Sequence, residues 1–201
     1  MSAPPRLVLA SASSARLRLL RAAGIAAEVV VSGVDERAVR APDPATLVAT
    51  LARMKAETVA ADPRLAGRLV LGCDSVLDVD GMVRGKPVDA AEAISWWEER
   101  RGGKGILRSG HHLIDTASGR AAGAIGSSVV HFGHPSDEEI AAYVGSGEPL
   151  EVAGGFTLEG RGAPLVERID GDPGTVIGLS LPLLRSLLAE LGHRIFELWS
   201  D

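Results

Sequence analysis

Short apolar runs alternate along this chain with stretches in which apolar residues recur at helical spacing, and this alternation most restricts its fold. Neither a Gly/Ser-rich linker nor an internal repeat interrupts the pattern. Alternating strands and helices form α/β domains, in which helices pack on the faces of a sheet. We therefore predict a single α/β domain spanning residues 1–201, either as one unit or with two lobes.

Capping residues and turns locate the elements. Ser13, Pro44 and Ser136 occupy positions typical of a helix start. Gly24 and Gly192 occupy positions typical of a helix end. Helices are predicted at 14–23, 44–61, 90–101, 137–144 and 181–191. Strands are predicted at 6–10, 29–31, 68–76, 106–116 and 121–132, with a two-residue hairpin turn at Asp80-Gly81.

Composition narrows the classes of partner and compartment. The formal net charge is -5, which disfavours a nucleic-acid polymer as a partner, because a protein binds such a polymer through a basic face. The apolar runs are much shorter than the roughly 18 residues of a transmembrane helix, and the chain start at 1–6 lacks the layout of a signal peptide. The one cysteine, Cys73, cannot form an internal disulfide, which suits a reducing compartment. We therefore expect a soluble cytoplasmic protein that binds neither nucleic-acid polymers nor membranes.

The segment 11–16, Ser-Ala-Ser-Ser-Ala-Arg, lies between a predicted strand and a predicted helix. Backbone N–H groups at a helix N-terminus, next to small hydroxyl side chains such as Ser11 and Ser13, form an anion site. Arg16 falls in the first turn of the helix, where a cation opposes the helix dipole. A bound phosphate would reverse the sign of that interaction. The alternative is a serine-rich cap with a solvated arginine.

Acidic residues follow the second predicted strand and the apolar run of the third. Asp35 and Glu36 come after the second strand, where they either bind a hard divalent cation or form a polar turn. Asp74 follows a buried apolar run. An isolated buried charge is costly, so the Asp74 carboxylate must be paired, bound to a metal or tuned in its protonation. Cys73, beside it, is interpreted as a small core residue.

Three of the 21 basic residues are lysine, at positions 55, 86 and 104. Lys55 lies on an apolar row of the second predicted helix, so it either extends to the rim or points its ammonium into a site. Lys86 stands in Gly85-Lys86-Pro87, where a glycine lets a ligand approach the backbone. A lysine there can meet a phosphate as a point charge.

The sequence also contains residues typical of two other chemistries. Asp78 and Asp80 resemble the D-x-D-G motif of haloacid-dehalogenase-type phosphatases, but that motif normally follows the first strand of its family, and a hairpin explains Asp80-Gly81 more simply. A phosphatase that uses this pair is one alternative. Among the five histidines, His111 and His112 point to opposite faces of a strand, so we expect no zinc site.

Taken together, these segments resemble the Maf family of nucleotide pyrophosphatases. The resemblance extends from about residue 7 to 191 and rests on the order and spacing of its motifs. Those motifs are LASAS at 9–13 with Arg16, VDE at 34–36, KA at 55–56, GCDSV at 72–76, GKP at 85–87, GEP at 147–149, AGGF at 153–156, GD at 171–172 and VIGL at 176–179.

The resemblance implies hydrolysis of a nucleoside triphosphate to the monophosphate and pyrophosphate, with Mg²⁺ or Mn²⁺ as the divalent metal cation. It also implies a mixed, twisted sheet in two lobes around a central cleft, similar to the inosine-triphosphate pyrophosphatase fold. Asp74 is then the proton acceptor, and Glu36 and Asp74 are the metal ligands. The substrate-binding residues that the resemblance implies are Ser11, Ser13, Ala15, Arg16, Lys55, Ser75, Lys86 and Glu159.

Three of these positions, Ala15, Ser75 and Glu159, depart from the better-known members. Members that favour dTTP and UTP carry Arg at the Ala15 position and Gln at the Glu159 position, and the subgroup associated with 7-methyl-GTP carries Trp at the Ala15 position. An ionised carboxylate only accepts hydrogen bonds, so Glu159 predicts a broad or purine-leaning preference. A further alternative is a nucleotide-binding regulator of septum formation with little turnover. The sequence leaves open whether the chain forms a homodimer.

Overall fold

The computed structural model describes residues 7–200. In that range the strands are β1 (Leu7–Leu9), β2 (Ala27–Val29), β3 (Leu69–Val79), β4 (Met82–Arg84), β5 (Lys104–Asp115), β6 (Ala121–Phe132) and β7 (Val166–Asp170). The helices are α1 (Ser14–Ala22), α2 (Pro44–Ala60), α3 (Ala90–Arg100), α4 (Asp137–Gly145), α5 (Pro173–Ile177) and α6 (Leu181–Leu191). Arg6, predicted to begin the first strand, and the rest of the chain start at 1–6 lie outside the described residues. Across 7–200, none of the helices has both the length and the apolar character needed to span a membrane.

The strands of the described residues form one mixed sheet in the order β2-β1-β3-β5-β6-β7, with β4 paired to β3. β1 is parallel to both of its neighbours, with Leu9 opposite Val29 of β2 and opposite Leu71 of β3. The pairs β3–β4 and β6–β7 are antiparallel. The predicted α/β class and the mixed sheet are confirmed.

The chain divides into two compact units. The first unit takes in the residues up to Asp74, then Ser109–Gly126 and the residues from Gly178 onward. The second unit consists of Ser75–Arg108 and Ser127–Ile177. The strands β3, β5 and β6 therefore each contribute residues to both units. The single domain over 1–201 and the central cleft stay predictions.

In the first unit, both faces of β1 and β3 are buried. Leu9 and Leu71 belong to an apolar cluster that includes residues of α1 and α6, whereas Val8 and Val70 belong to a second cluster with Val59 of α2. Successive side chains of a strand point to opposite faces of the sheet. A strand covered on both faces therefore needs an uninterrupted apolar run, which β1 and the first half of β3 have.

The core of the second unit is built around aromatic rings. Trp97 of α3 lies edge-on to Phe132 and Tyr143, with ring centroids 5.6 and 5.7 Å apart, and Phe132 lies edge-on to Phe156 at 5.2 Å. Edge-to-face contacts of this kind add to the stabilisation that ring burial provides. Four of the chain's seven aromatic residues thus lie together in this core, where three of them join α3 and α4 to β6.

Among the strands whose bounds differ from the prediction, β2 and β3 differ for clear physical reasons. β2 covers Ala27–Val29 instead of 29–31, at an edge of the sheet, where Val29 and Val31 are 41% and 62% exposed. The apolar run of 29–31 was therefore not a sign of burial. β3 continues to Val79 because β4 pairs with its last residues across the predicted turn. Asp80 and Gly81 both have positive φ, 50° and 84°, as a two-residue hairpin of this kind requires.

Candidate active site

Glycines on β3 and β5 let α2 approach the backbone of the sheet closely. A Cβ atom on Gly72 of β3 would lie 2.1 Å from the carbonyl oxygen of Ala52, and one on Gly110 of β5 would lie 2.2 Å from that of Val48. A larger residue at either position would push the helix away, since both obstacles are backbone atoms. The turn of α2 after Ala52 carries Lys55, which this close contact brings to β3.

Lys55 points its ammonium at two carboxylates. Its Nζ lies 2.6 Å from Oδ1 of Asp74 and 2.5 Å from Oε1 of Glu36. The side chains of Lys55 and Asp74 are 7% and 8% exposed, whereas that of Glu36 is 54% exposed. Lys55 therefore does not extend to the rim of the apolar surface, and its ammonium points at these two carboxylates. We refer to Glu36, Lys55 and Asp74 as the carboxylate–lysine cluster.

The two adjacent acids at 35 and 36 have different roles. Asp35 caps a single helical turn at Glu36–Ala38, because its Oδ1 accepts a hydrogen bond from the backbone N–H of Arg37 at 3.1 Å. Glu36, the first residue of that turn, reaches Lys55. Asp35 thus forms the polar turn, whereas Glu36 contacts a cationic side chain, and binding of a divalent cation stays a prediction.

Burial raises the pKa of the Asp74 carboxyl above its ordinary value. The Lys55 ammonium and the Arg16 guanidinium act to lower that pKa, and the Glu36 carboxylate acts to raise it further. The net effect is a raised pKa of Asp74, because burial is the largest of these influences. A carboxylate whose pKa lies closer to neutrality than that of an exposed acid is the better proton acceptor. The cluster can therefore take up a proton beside a fixed positive charge.

Asp74 lies inside β3, as it does in the predicted strand 68–76. β1 ends at Leu9, opposite Leu71, and the backbone N–H of Ala10 donates to the Leu71 carbonyl at 2.8 Å. Asp74 thus lies beyond Leu71, the last residue of β3 that pairs with β1. The carboxyl ends of parallel strands are where open α/β sheets bind ligands. Asp74 lies next to such an end, that of β1, although β3 itself continues.

The serine-rich segment forms the start of α1, as predicted. The Ser13 hydroxyl accepts a hydrogen bond from the backbone N–H of Arg16 at 3.4 Å and caps the helix. The Arg16 side chain is buried, and its Nη1 donates to the Ser11 hydroxyl at 2.8 Å. Its Nε donates to the carbonyl of Gly178, also at 2.8 Å. Arg16 is therefore not the solvated arginine of the alternative interpretation.

We expect Arg16→Ala to lower the free energy of unfolding by about 1–3 kcal/mol, because the buried Gly178 carbonyl and Ser11 hydroxyl lose a donor. The helix dipole acting alone would instead make Arg16→Ala slightly stabilising, because a cation in the first turn opposes the dipole. Urea unfolding monitored by circular dichroism measures the difference. Arg18→Ala is the matched control, since Arg18 is an exposed residue of the same helix. An Arg16→Ala protein that is as stable as the parent would contradict the role of these contacts.

Comparison with known proteins gives the family. The profile described as Maf-like protein matches residues 6–191. The chain belongs to the Maf family. Among curated relatives, the protein of Streptomyces coelicolor is 64% identical over 97% of this chain and 95% of its own length. The relative from Streptomyces avermitilis is 60% identical with the same coverage, and that from Salinispora tropica is 57% identical over 99% of this chain and 89% of its own length. Each is named nucleoside triphosphate pyrophosphatase.

The other residues matched to Maf motifs lie in both units. Ala15 belongs to the first unit, and Ser75, Lys86 and Glu159 belong to the second. Ala15 and Ser75 are half-buried, whereas Lys86 and Glu159 are exposed. In the first unit, Arg16 is close enough to Asp74 to lower its pKa. Ser11 and Ser13 both contact Arg16, and Arg16 is the member of this group whose charge acts on the carboxylate–lysine cluster.

Sequence reasoning missed the role of Glu148 in the loop that carries Glu159. Its carboxylate accepts hydrogen bonds from the Thr157 hydroxyl and from the backbone N–H groups of Arg161, at 3.1 Å, and Gly162, at 3.2 Å. Burial acts to raise the pKa of Glu148, but these hydrogen bonds outweigh it and lower the pKa. Glu148 belongs to the GEP motif at 147–149, but the motif alone does not show that its carboxylate holds the loop at 157–162.

The Asp78 and Asp80 pair has a structural explanation in this Maf chain. Asp78 accepts a hydrogen bond from the backbone N–H of Gly81 at 2.9 Å and another from Nε of Arg108 at 3.1 Å. Asp80 is a residue of the turn itself. The Asp78 carboxylate is therefore held by the hairpin and by Arg108 of β5, and Asp80 is explained by its place in the turn.

Cys73 and the histidines are the remaining reactive side chains among the residues that the sequence singled out. Burial raises the pKa of the Cys73 thiol to about 11, so it remains protonated and serves as a core residue. His111 is buried, and its Nε2 accepts a hydrogen bond from the backbone N–H of Ser180 at 2.9 Å. Over residues 7–200, no group of three or more His, Cys, Asp and Glu side chains is arranged to hold a metal ion.

Proposed function

We propose that this chain hydrolyses nucleoside triphosphates to the nucleoside monophosphate and pyrophosphate. The observation that carries the proposal is the carboxylate–lysine cluster, in which a buried carboxylate of raised pKa contacts a buried ammonium. Attack of water on a phosphorus centre needs both a proton acceptor and positive charge near the phosphate. The name carried by the curated relatives supports the same reaction.

Each residue of the cluster has a distinct part in this proposal. Asp74 accepts the proton of the attacking water. Lys55 keeps Asp74 ionised in spite of its burial, and together with Arg16 it offsets the negative charge that develops on the phosphates. Ser11, Ser13 and the backbone N–H groups of the first turn of α1 contact the phosphates. Ser75, Lys86 and Glu159 complete the proposed substrate-binding set on the strength of their motif positions.

The donor set of the cluster fits a divalent cation. The Glu36 and Asp74 carboxylates lie close enough to each other to contact the same positive group, the Lys55 ammonium. Mg²⁺ is commonly bound by one or two carboxylates together with substrate phosphates and waters, so a third protein ligand is not required. We propose that Glu36 and Asp74 hold Mg²⁺ or Mn²⁺. A bound cation supplies charge neutralisation at the phosphates.

The base preference is proposed to be broad or to lean toward purines. Glu159 accepts hydrogen bonds while ionised, which suits the N1–H and the exocyclic amine of guanine. It offers no donor to O4 or O2 of thymine and uracil. Ala15, smaller than Arg or Trp, leaves its side of the base site open. A cleft like that of inosine-triphosphate pyrophosphatase and a cytoplasmic location belong to the same proposal.

A nucleotide panel tests the proposal. We expect pyrophosphate release with Mg²⁺ or Mn²⁺, no release after chelation, and kcat/KM for GTP at least equal to that for dTTP and UTP. The panel also includes CTP and 7-methyl-GTP. Absence of pyrophosphate with every nucleotide would overturn the activity. A strong dTTP and UTP preference that Glu159→Gln leaves unchanged would overturn only the role of Glu159.

A further inference from the structure

Arg100, the last residue of α3, is a buried cation in an aromatic surrounding. It is 4% exposed, and its guanidinium lies 4.0 Å from the ring centroid of Trp97 and 4.7 Å from that of Phe132. In the described part of the chain, no carboxylate forms an ion pair with it. Burial lowers the pKa of Arg100 to about 9, and the nearby charge of Arg84 acts in the same direction. A buried charge with no acidic partner costs folding free energy, so its presence calls for a function.

The guanidinium holds a short glycine turn. It donates to the carbonyl of Gly154 through Nη1 and to that of Gly155 through Nη2, the latter at 3.1 Å. Nε1 of Trp97 donates to the Gly155 carbonyl as well, at 3.0 Å. Both glycines have left-handed φ values, 74° and 62°, which turn the two carbonyls into this pocket. Without their donors these buried carbonyls would be unsatisfied.

The same glycine turn holds the segment that carries Lys86. The backbone N–H of Gly154 donates to the carbonyl of Gly85 at 2.8 Å. One residue before Gly85, the side chain of Arg84 pairs with Glu99 of α3 at 2.7 Å. Lys86 itself is exposed, and none of the residues 7–200 forms an ion pair with its ammonium. The backbone directly before Lys86 is therefore held at Gly85, while the charge of Lys86 is left for a ligand.

We propose that Arg100 is a positioning residue that fixes the place of Lys86 through the Gly154–Gly155 carbonyls. The proposal rests on the proposed function, in which Lys86 meets the substrate phosphates. Arginine suits the position because its planar fork donates to two carbonyls at once and stacks on aromatic rings, which the single ammonium of a lysine cannot reproduce. A displacement of about 1 Å at a phosphate-binding group lowers the rate as much as about 10²-fold.

A double-mutant cycle tests whether Arg100 acts through Lys86. We expect Arg100→Lys to lower kcat/KM for the best triphosphate about 10–100-fold. Lys86→Ala should lower it at least as much, and the double variant should be little worse than Lys86→Ala alone, because both changes remove the same contact. We expect the same non-additive pattern in the Kd for inorganic pyrophosphate. Arg101→Lys, at the next position and paired with Asp137, is the matched control and should leave kcat/KM unchanged.

Additive effects in the folded variants, or an Arg100→Lys protein with a lower Tm and an unchanged kcat/KM, would overturn the positioning role. If Arg100→Lys does not fold, Trp97→Phe replaces it in the cycle, since that change removes one donor to the Gly155 carbonyl and keeps an aromatic ring, though a smaller one, at this position. Additivity of Trp97→Phe with Lys86→Ala would then overturn the role, and non-additivity would support it. A parent protein that releases no pyrophosphate overturns the proposed function instead, so the two failures are distinguishable.

Discussion

Asp74→Asn is expected to lower kcat by about 10²–10⁴-fold, the usual effect of removing a general base. The amide has nearly the shape of the carboxylate but cannot accept the proton. The fold should be retained, because Lys55 keeps its contact with Glu36 and the amide carries no charge that burial would penalise. Initial rates at saturating nucleotide, with circular dichroism of the same sample, measure both effects.

Asp78→Asn is the control for this substitution. It changes a buried aspartate of the same strand that is held by Gly81 and Arg108. We expect near-parental kcat in that variant and a modest loss of stability. A folded Asp74→Asn protein with near-parental turnover would remove Asp74 from the chemistry. An inactive Asp78→Asn protein would instead support the phosphatase alternative.

Lys55→Met is expected to affect stability and turnover together. Removal of one partner of a buried ion pair typically costs about 3–5 kcal/mol, and here it leaves Asp74 without its closest positive group. The pKa of Asp74, already raised by burial, should then rise further. A carboxyl with a raised folded-state pKa stabilises below its unfolded-state pKa and loses that contribution as pH rises through the folded-state value. The deficit of Lys55→Met should therefore be smallest at acidic pH and largest near neutrality.

Urea unfolding at several pH values measures this deficit. Lys104→Met is the matched control, because Lys104 is exposed at the start of β5. It should change the free energy of unfolding by less than about 0.5 kcal/mol. A Lys55→Met deficit that is independent of pH, or a variant with parental turnover, would show that the ammonium does not govern the state of Asp74.

The local features of the fold follow from the sequence because short-range chemistry determines them. Ser13 and Ser136 cap helices where the sequence predicts, and Asp80-Gly81 forms the predicted turn. The misplaced β2 and the unpredicted β7 are both short and exposed strands, whose bounds are set by pairing with β1 and β6. Pairing of this kind leaves little trace in local hydrophobicity.

The candidate site was predictable only in part. The apolar row on α2 indicated that Lys55 points inward, but its contact with both Glu36 and Asp74 depends on the close approach of α2 at Gly72. The Arg16 partner, the Gly178 carbonyl, lies 162 positions along the chain, and no local pattern identifies it. Backbone acceptors have no sequence signature of their own. For the same reason the role of Arg100, whose acceptors are two carbonyls, becomes visible only in the structure.

Phosphorus NMR of the products from one nucleoside triphosphate, incubated with the parent protein and Mg²⁺, tests the central claim most directly. The carboxylate–lysine cluster, as a nucleoside triphosphate pyrophosphatase site, predicts equal amounts of monophosphate and pyrophosphate, which the Asp74→Asn protein should not produce at a comparable rate. Orthophosphate and the diphosphate as first products would contradict this account and favour the phosphatase alternative. Binding without any product would contradict it as well, and would favour a nucleotide-binding regulator.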